Sequence, residues 1–184
     1  MNRWIFLVAV LLAGFGCASS DKRELAYAPA TDSGAFVPVQ LVMNRKAPVP
    51  RKYIDRVSAA EAELSRSGLF AQIGPGVASE YLLEVSLERG THESVAEAAV
   101  HVLSAATLFL VPSRVRNFNL LKADLYVQGQ LRKSYAYQDE FQDPLSAFDW
   151  TETNEFVSIK NVVRKFMMEL DRDQLIPRQS TSAF

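Results

Sequence analysis

Apolar and polar positions recur with clear periods over most of the chain between residues 36 and 170. "FVPVQLVM", residues 36 to 43, is rich in β-branched and apolar side chains and predicts a strand, with Pro38 suited to its start or to an edge. The next segment, "PRKYIDRVSAAEAELSRSGLF", predicts a helix. Pro50 suits its first turn, Tyr53, Val57, Ala60 and Leu64 fall on one face, and Gly68 suits a left-handed C-terminal cap over which Leu69 packs back. In "EYLLEVSLER", Tyr81, Leu83, Val85 and Leu87 alternate with Glu84, Ser86 and Glu88, as in a half-buried strand. "NFNLLKADLYVQ" and "QLRKSYAYQDEF" flank Gly129 and predict a hairpin of two long strands, with Tyr135, Tyr137 and Phe141 on one face of the second. "TNEFVSIKNVVRKFMMEL" predicts a final helix whose stripe is Phe156, Ile159, Val163, Phe166, Met167 and Leu170. Thr153 suits its N-cap and Glu155 its first turn.

These elements, in the order β-α-β-α-β-β-α, predict a two-layer α+β sandwich with helices packed on one face of a mixed or antiparallel sheet. It is expected to form one domain over residues 36–176. "PRQSTSAF", residues 177–184, shows no core pattern and is expected to fray.

The middle segment "SVAEAAVHVLSAATLFLVPS" departs from ordinary amphipathic patterning. Ser94 and Glu97 have the spacing of a capping box, so a helix begins there, and Pro112 ends it. From Ala98 to Val111 only His101, Ser104 and Thr107 interrupt the apolar run. Fourteen residues are too few to cross a bilayer, for which about 20 are needed. A buried core helix is the expectation; a membrane-facing or partner-facing surface, or an apolar pocket lined by residues 98–111, are the alternatives. His101 is read as a structural histidine, since no cluster of metal-ligand spacing accompanies it.

The N-terminus is patterned differently. Arg3 precedes 13 apolar or glycine residues, Trp4 to Gly16, and small residues surround Cys17, the layout of a cleaved export signal over residues 1–16. Residues 18 to 35, "ASSDKRELAYAPATDSGA", carry few large apolar side chains and no sustained period, and are expected to form a flexible tether.

Gly16-Cys17 at the end of the apolar run resembles the lipobox of bacterial lipoproteins, in which the thiol receives a diacylglycerol before cleavage. Gly14 and Phe15 depart from the usual pattern of a branched aliphatic and a small residue. Ordinary cleavage after Gly14-x-Gly16 or Cys17-x-Ser19 is the competing reading and would leave a secreted or soluble periplasmic protein. The resemblance implies lipidation at Cys17, and Ala18 in place of an aspartate implies the outer membrane. A wider likeness rests on an apolar stretch ending in Leu-Val-Pro followed by strands of the "LLKADLYVQGQL" and "SYAYQDEF" types. It is similar to a group of small, largely uncharacterised proteobacterial lipoproteins and implies no activity.

Composition narrows the chemistry. Of 184 residues 48% are hydrophobic and 22% charged, as in a folding chain, while a net charge of -1 with no run of like charges leaves no footprint for nucleic acid. Cys17 is the sole cysteine and His92 and His101 the only histidines, so catalysis would rest on carboxylates. The densest group is Asp139, Glu140, Asp143, Asp149, Glu152 and Glu155, whose spacing is not that of a calcium loop; a solvated acidic edge is the simpler reading. Tyr126, Tyr135 and Tyr137 form a possible recognition surface, with sheet packing as the stronger expectation. No catalytic residue, metal ligand or cofactor is assigned. The expected role is a non-enzymatic interaction or assembly module, held at the membrane by lipid and engaging another envelope component.

Overall fold

The computed structural model describes residues 22–29, 34–44, 51–92, 94–108, 113–145 and 153–179. Along the chain lie β1 (Val39–Met43), α1 (Arg51–Arg66), β2 (Ile73–Gly74), β3 (Tyr81–His92), α2 (Val95–Ala106), β4 (Ser113–Val127), β5 (Gln130–Leu145) and α3 (Thr153–Asp173). The five strands form one open sheet in the order β2-β1-β3-β4-β5, with β1 parallel to its two neighbours and the remaining pairs antiparallel. This is the expected α+β order, with the two-residue β2 added to it.

The hairpin turns at Gln128 and Gly129, which both take positive φ (51° and 78°), the handedness that matches the twist of the strands it joins. Beyond it, β4 and β5 run paired from Val127 and Gln130 to Ser113 and Leu145. At the end of α1, Gly68 has a φ of 70° and Leu69 is fully buried, as the cap pattern requires.

The odd positions Leu83, Val85 and Leu87 of β3 lie opposite Leu125, Ala123 and Leu121 of β4, and all six are buried. Over this face pack Ala60 and Leu64 of α1, and Ile159, Val163, Phe166, Met167 and Leu170 of α3. Tyr135 extends the core into β5, set edge-on against Phe166 at 5.2 Å and donating its hydroxyl to Asp173 at 2.9 Å. Burial and the Asp173 carboxylate both push the Tyr135 phenol up. Tyr137 shares this face half-buried, whereas Tyr126 lies on the opposite one. The expected sheet-packing role thus holds for Tyr135 and Tyr137.

Three expectations are corrected. The tether does not hang free over residues 22–29, which lie along α3: Leu25 N–H donates to Asn161 Oδ1 at 2.8 Å, and Asn161 Nδ2 donates to the carbonyl of Arg23 at 3.1 Å. Ion pairs reinforce it, with Lys22 2.5 Å from Asp139, and Glu24 2.5 Å from Lys160 and 3.3 Å from Arg164. The tail is not frayed at its start, since Val37 N–H donates to the carbonyl of Pro177 (2.9 Å) and Gln179 N–H to that of Ala35 (2.7 Å). Arg178 there caps the Phe36 ring at 4.8 Å and pairs with Asp171.

The third correction concerns α2. While α1 and α3 cover one face of the sheet, α2 stands at the sheet's end between β3 and β4, outside the core.

Candidate interaction surface

The capping box anticipated for α2 is formed. Ser94 Oγ accepts from Glu97 N–H at 3.2 Å, and Glu97 Oε2 accepts from Ser94 N–H at 2.8 Å. Glu97 also holds Arg116 Nε at 2.8 Å, and these bonds together lower its carboxyl to about 2. One turn on, His101 Nε2 lies 3.1 Å from the carbonyl of Arg114, and Ser104 is fully buried. Glu97, His101 and Ser104 follow a spacing of four and three, a single helical stripe, and that polar stripe faces the domain.

The apolar side is therefore turned outward. Val100 is 45% exposed, Val102 70%, Leu103 54% and Leu108 79%. Burying such side chains fully would contribute about 1.5–3 kcal/mol each, so α2 forgoes several kcal/mol in water. The expected buried core helix is not what residues 98–108 make, and among these described residues the alternative of an apolar pocket is not seen either, since their polar stripe takes the inward positions; Phe109, Leu110 and Val111 lie outside the described residues.

Beside the start of α2 is an open cleft of about 370 Å³ lined by His92, Ser94, Glu97, Arg116 and Glu140. Its groups are committed to each other. Glu97 and Ser94 cap the helix, Arg116 pairs with Glu97, and the His92 ring packs on Phe118 at 4.7 Å. Phe118 in turn covers Gly90, where a Cβ would lie 2.1 Å from the ring.

On the helix-covered face, the same end of the sheet is polar. Glu155 Oε1 is 2.6 Å from Arg56 Nε, and Glu155 Oε2 is 3.3 Å from Arg89 Nη1. Arg89 Nη2 lies 2.7 Å from Asp143, which also accepts from Asn117 Nδ2 at 2.9 Å. Burial pushes the carboxyls of both Glu155 and Asp143 up against the pull of the two arginines. Asp139 pairs with Lys22 and Lys165, and the exposed Glu140 lies 3.9 Å from His92. Asp139, Asp143 and Glu155 thus form an ion-pair network beneath the start of α3, paired with cations of the chain itself, while Glu140 is exposed as a solvated edge would have it. Asp149 and Glu152 lie outside the described residues, and among the described residues no group of three or more potential ligands could hold a metal. Arg56 and Arg89 escaped sequence reasoning because they come from α1 and β3, distant from the acids they neutralise.

Cys17 lies outside the described residues. No described helix is long and apolar enough to cross a membrane.

No family model matches the chain, and no curated protein matches it in sequence. Among solved structures it is similar to a minor lipoprotein from Acinetobacter baumannii, with 10% identity and a TM-score of 0.45 over 80% of this chain and 98% of the other. A Xanthomonas campestris protein of DUF330 gives 12% identity and a TM-score of 0.43, over 82% and 91% of the two chains. A PelC dodecamer from Paraburkholderia phytofirmans gives 14% and 0.38, over 81% and 95%. At these values the likeness assigns neither family nor function.

Proposed function

We propose that the chain is a lipid-anchored envelope lipoprotein whose body is a non-enzymatic interaction module facing the periplasm from the outer membrane. The observation that carries this reading is the position of Cys17. It closes a 13-residue apolar run, and five residues later, from Lys22, the chain is bonded along α3. A lipid on that thiol therefore holds the start of the bonded chain close to the membrane, where a leash running to residue 35 would let the body stand farther off.

The part of the body that suits a protein partner is β5. It is 16 residues long, pairs on one side with β4 and forms an edge of the described sheet; Lys165, Ser158 and Asn154 of α3 take the carbonyls of Gln138, Asp139 and Gln142, so the template for strand addition is the hairpin half of the strand. The test is radiolabelled palmitate incorporation with membrane fractionation for the wild type and Cys17→Ser. Label and membrane retention should be lost together in the variant; equal labelling of both refutes the anchor. Photo-crosslinking from Gln138, exposed on β5, should then recover one envelope protein, and recovery of none counts against the module.

A further inference from the structure

The geometry points to α2 as a membrane-docking element that lays its outward apolar face into the bilayer beside the lipid anchor. This rests on the reading of Cys17 as lipidated and adds a second contact to it.

Three observations place α2 and the anchor at one end of the domain. Lys22 N–H donates to Asn154 Oδ1 at 3.5 Å, and Asn154 Nδ2 donates to the carbonyl of Gln142 at 3.2 Å. Gln142 lies opposite Arg116 in the sheet, and Arg116 holds Glu97 of α2. Gln142 Oε1 also receives Arg114 Nη1 at 3.4 Å, and the carbonyl of Arg114 meets His101 of α2. The chain from Cys17 to Lys22 spans five residue steps, at most about 17 Å when fully extended. Anchoring therefore brings Lys22 to within that distance of the membrane surface, and α2, joined to Lys22 through Asn154, Gln142 and Arg116, lies at the same end of the sheet.

The surface brought there has the chemistry a bilayer requires. From residue 98 to 108 the chain carries no Asp, Glu, Lys or Arg, its one basic side chain, His101, is turned to the carbonyl of Arg114, and at the end of the helix Thr107 N–H donates to the carbonyls of Ala105 and Leu103. The polar stripe that would be costly in lipid is the one already turned to the domain. A hydrophobic face left in water by the fold is thus placed beside an apolar phase by the anchor.

The experiment uses the full chain matured in the envelope and reconstituted into phosphatidylethanolamine and phosphatidylglycerol vesicles. With Cys17 acylated, an added cysteine is the only free thiol. Leu103→Cys and Leu131→Cys replace two residues that are each 54% exposed, one on α2 and the other beside the hairpin at the opposite end of the sheet. A fluorophore at 103 should be strongly quenched by lipids carrying spin labels in their acyl chains, and the same fluorophore at 131 should not. Equal, weak quenching at both positions overturns the docking, as does protection at 103 accompanied by 103–103 crosslinks, which would assign the face to a second copy. Failure of the anchor is separately visible, because the protein without an added cysteine would then lack the lipid's mass, and would take up the thiol label wherever cleavage leaves Cys17 in place.

Discussion

Glu155 offers the sharpest test of what the acidic cluster is for. Its side chain is 5% exposed and lies between Arg56, itself 16% exposed, and Arg89, 29% exposed. Removing one member of a buried pair costs about 3–5 kcal/mol, because the remaining charge is left uncompensated. Arg89 keeps Asp143 at 2.7 Å, which softens the loss, so Glu155→Ala should destabilise by about 2–3 kcal/mol. With a urea dependence of about 2 kcal/mol/M, the midpoint of unfolding should fall by about 1–1.5 M. Replacing Arg56 and Glu155 together by leucine should recover much of this, since apolar packing substitutes for a buried pair. The pH dependence has a defined sign. Burial raises the folded-state pKa of Glu155, so the native state binds the proton more tightly than the unfolded chain and gains stability as pH falls through that raised value towards the ordinary glutamate value of 4.5. The gap between wild type and Glu155→Ala should widen over that window. A loss below about 0.5 kcal/mol, as for exposed pairs, would refute the reading of this cluster as a structural ion-pair network.

Other expectations follow from the same contacts. Ser94→Ala removes the cap of α2 and should lower its helix stability by about 1 kcal/mol, read as faster amide exchange confined to residues 95–106. Glu97 is lowered to about 2, so its contribution to holding α2 is complete above about 4.5 and fades as pH falls towards 2; a Glu97 titrating near 4.5 by NMR would contradict the bonds that hold it. Asn161→Ala removes two hydrogen bonds to the N-terminal strap, each contributing about 1 kcal/mol, and should speed tryptic cleavage after Lys22 and Arg23 while leaving the body intact. Gly90→Ala places a methyl group against Phe118 and should cost about 1–3 kcal/mol by chemical denaturation, relieved by Phe118→Leu.

The strands and helices were legible because each buries a face of regular period: Leu83, Val85 and Leu87 at every second position, and Ile159, Val163, Phe166 and Leu170 at helical spacing. What escaped the sequence was set by polar contacts between distant residues. In α2 the capping box and the stripe of Glu97, His101 and Ser104 could be read, but the side that faces the domain is chosen by Arg114 and Arg116, which arrive on the following strand. The strap looked like a leash because it carries few large apolar side chains; it is held instead by Asn161, Lys160 and Arg164, more than a hundred residues away. The acidic cluster looked solvated because its cations lie on α1, on β3 and in the strap. Hydrophobic period therefore located the layers, and long-range charge and hydrogen-bond pairing decided the surfaces.

The central claim is that a lipid at Cys17 fixes the end of the domain that carries α2 against a membrane. Intact mass measurement of the protein purified from envelopes tests it most directly. The account predicts a chain beginning at Cys17 and carrying the added mass of a diacylglycerol, with that mass absent from Cys17→Ser. An unmodified mature chain, whether it begins at Cys17 or at a later residue, would contradict it.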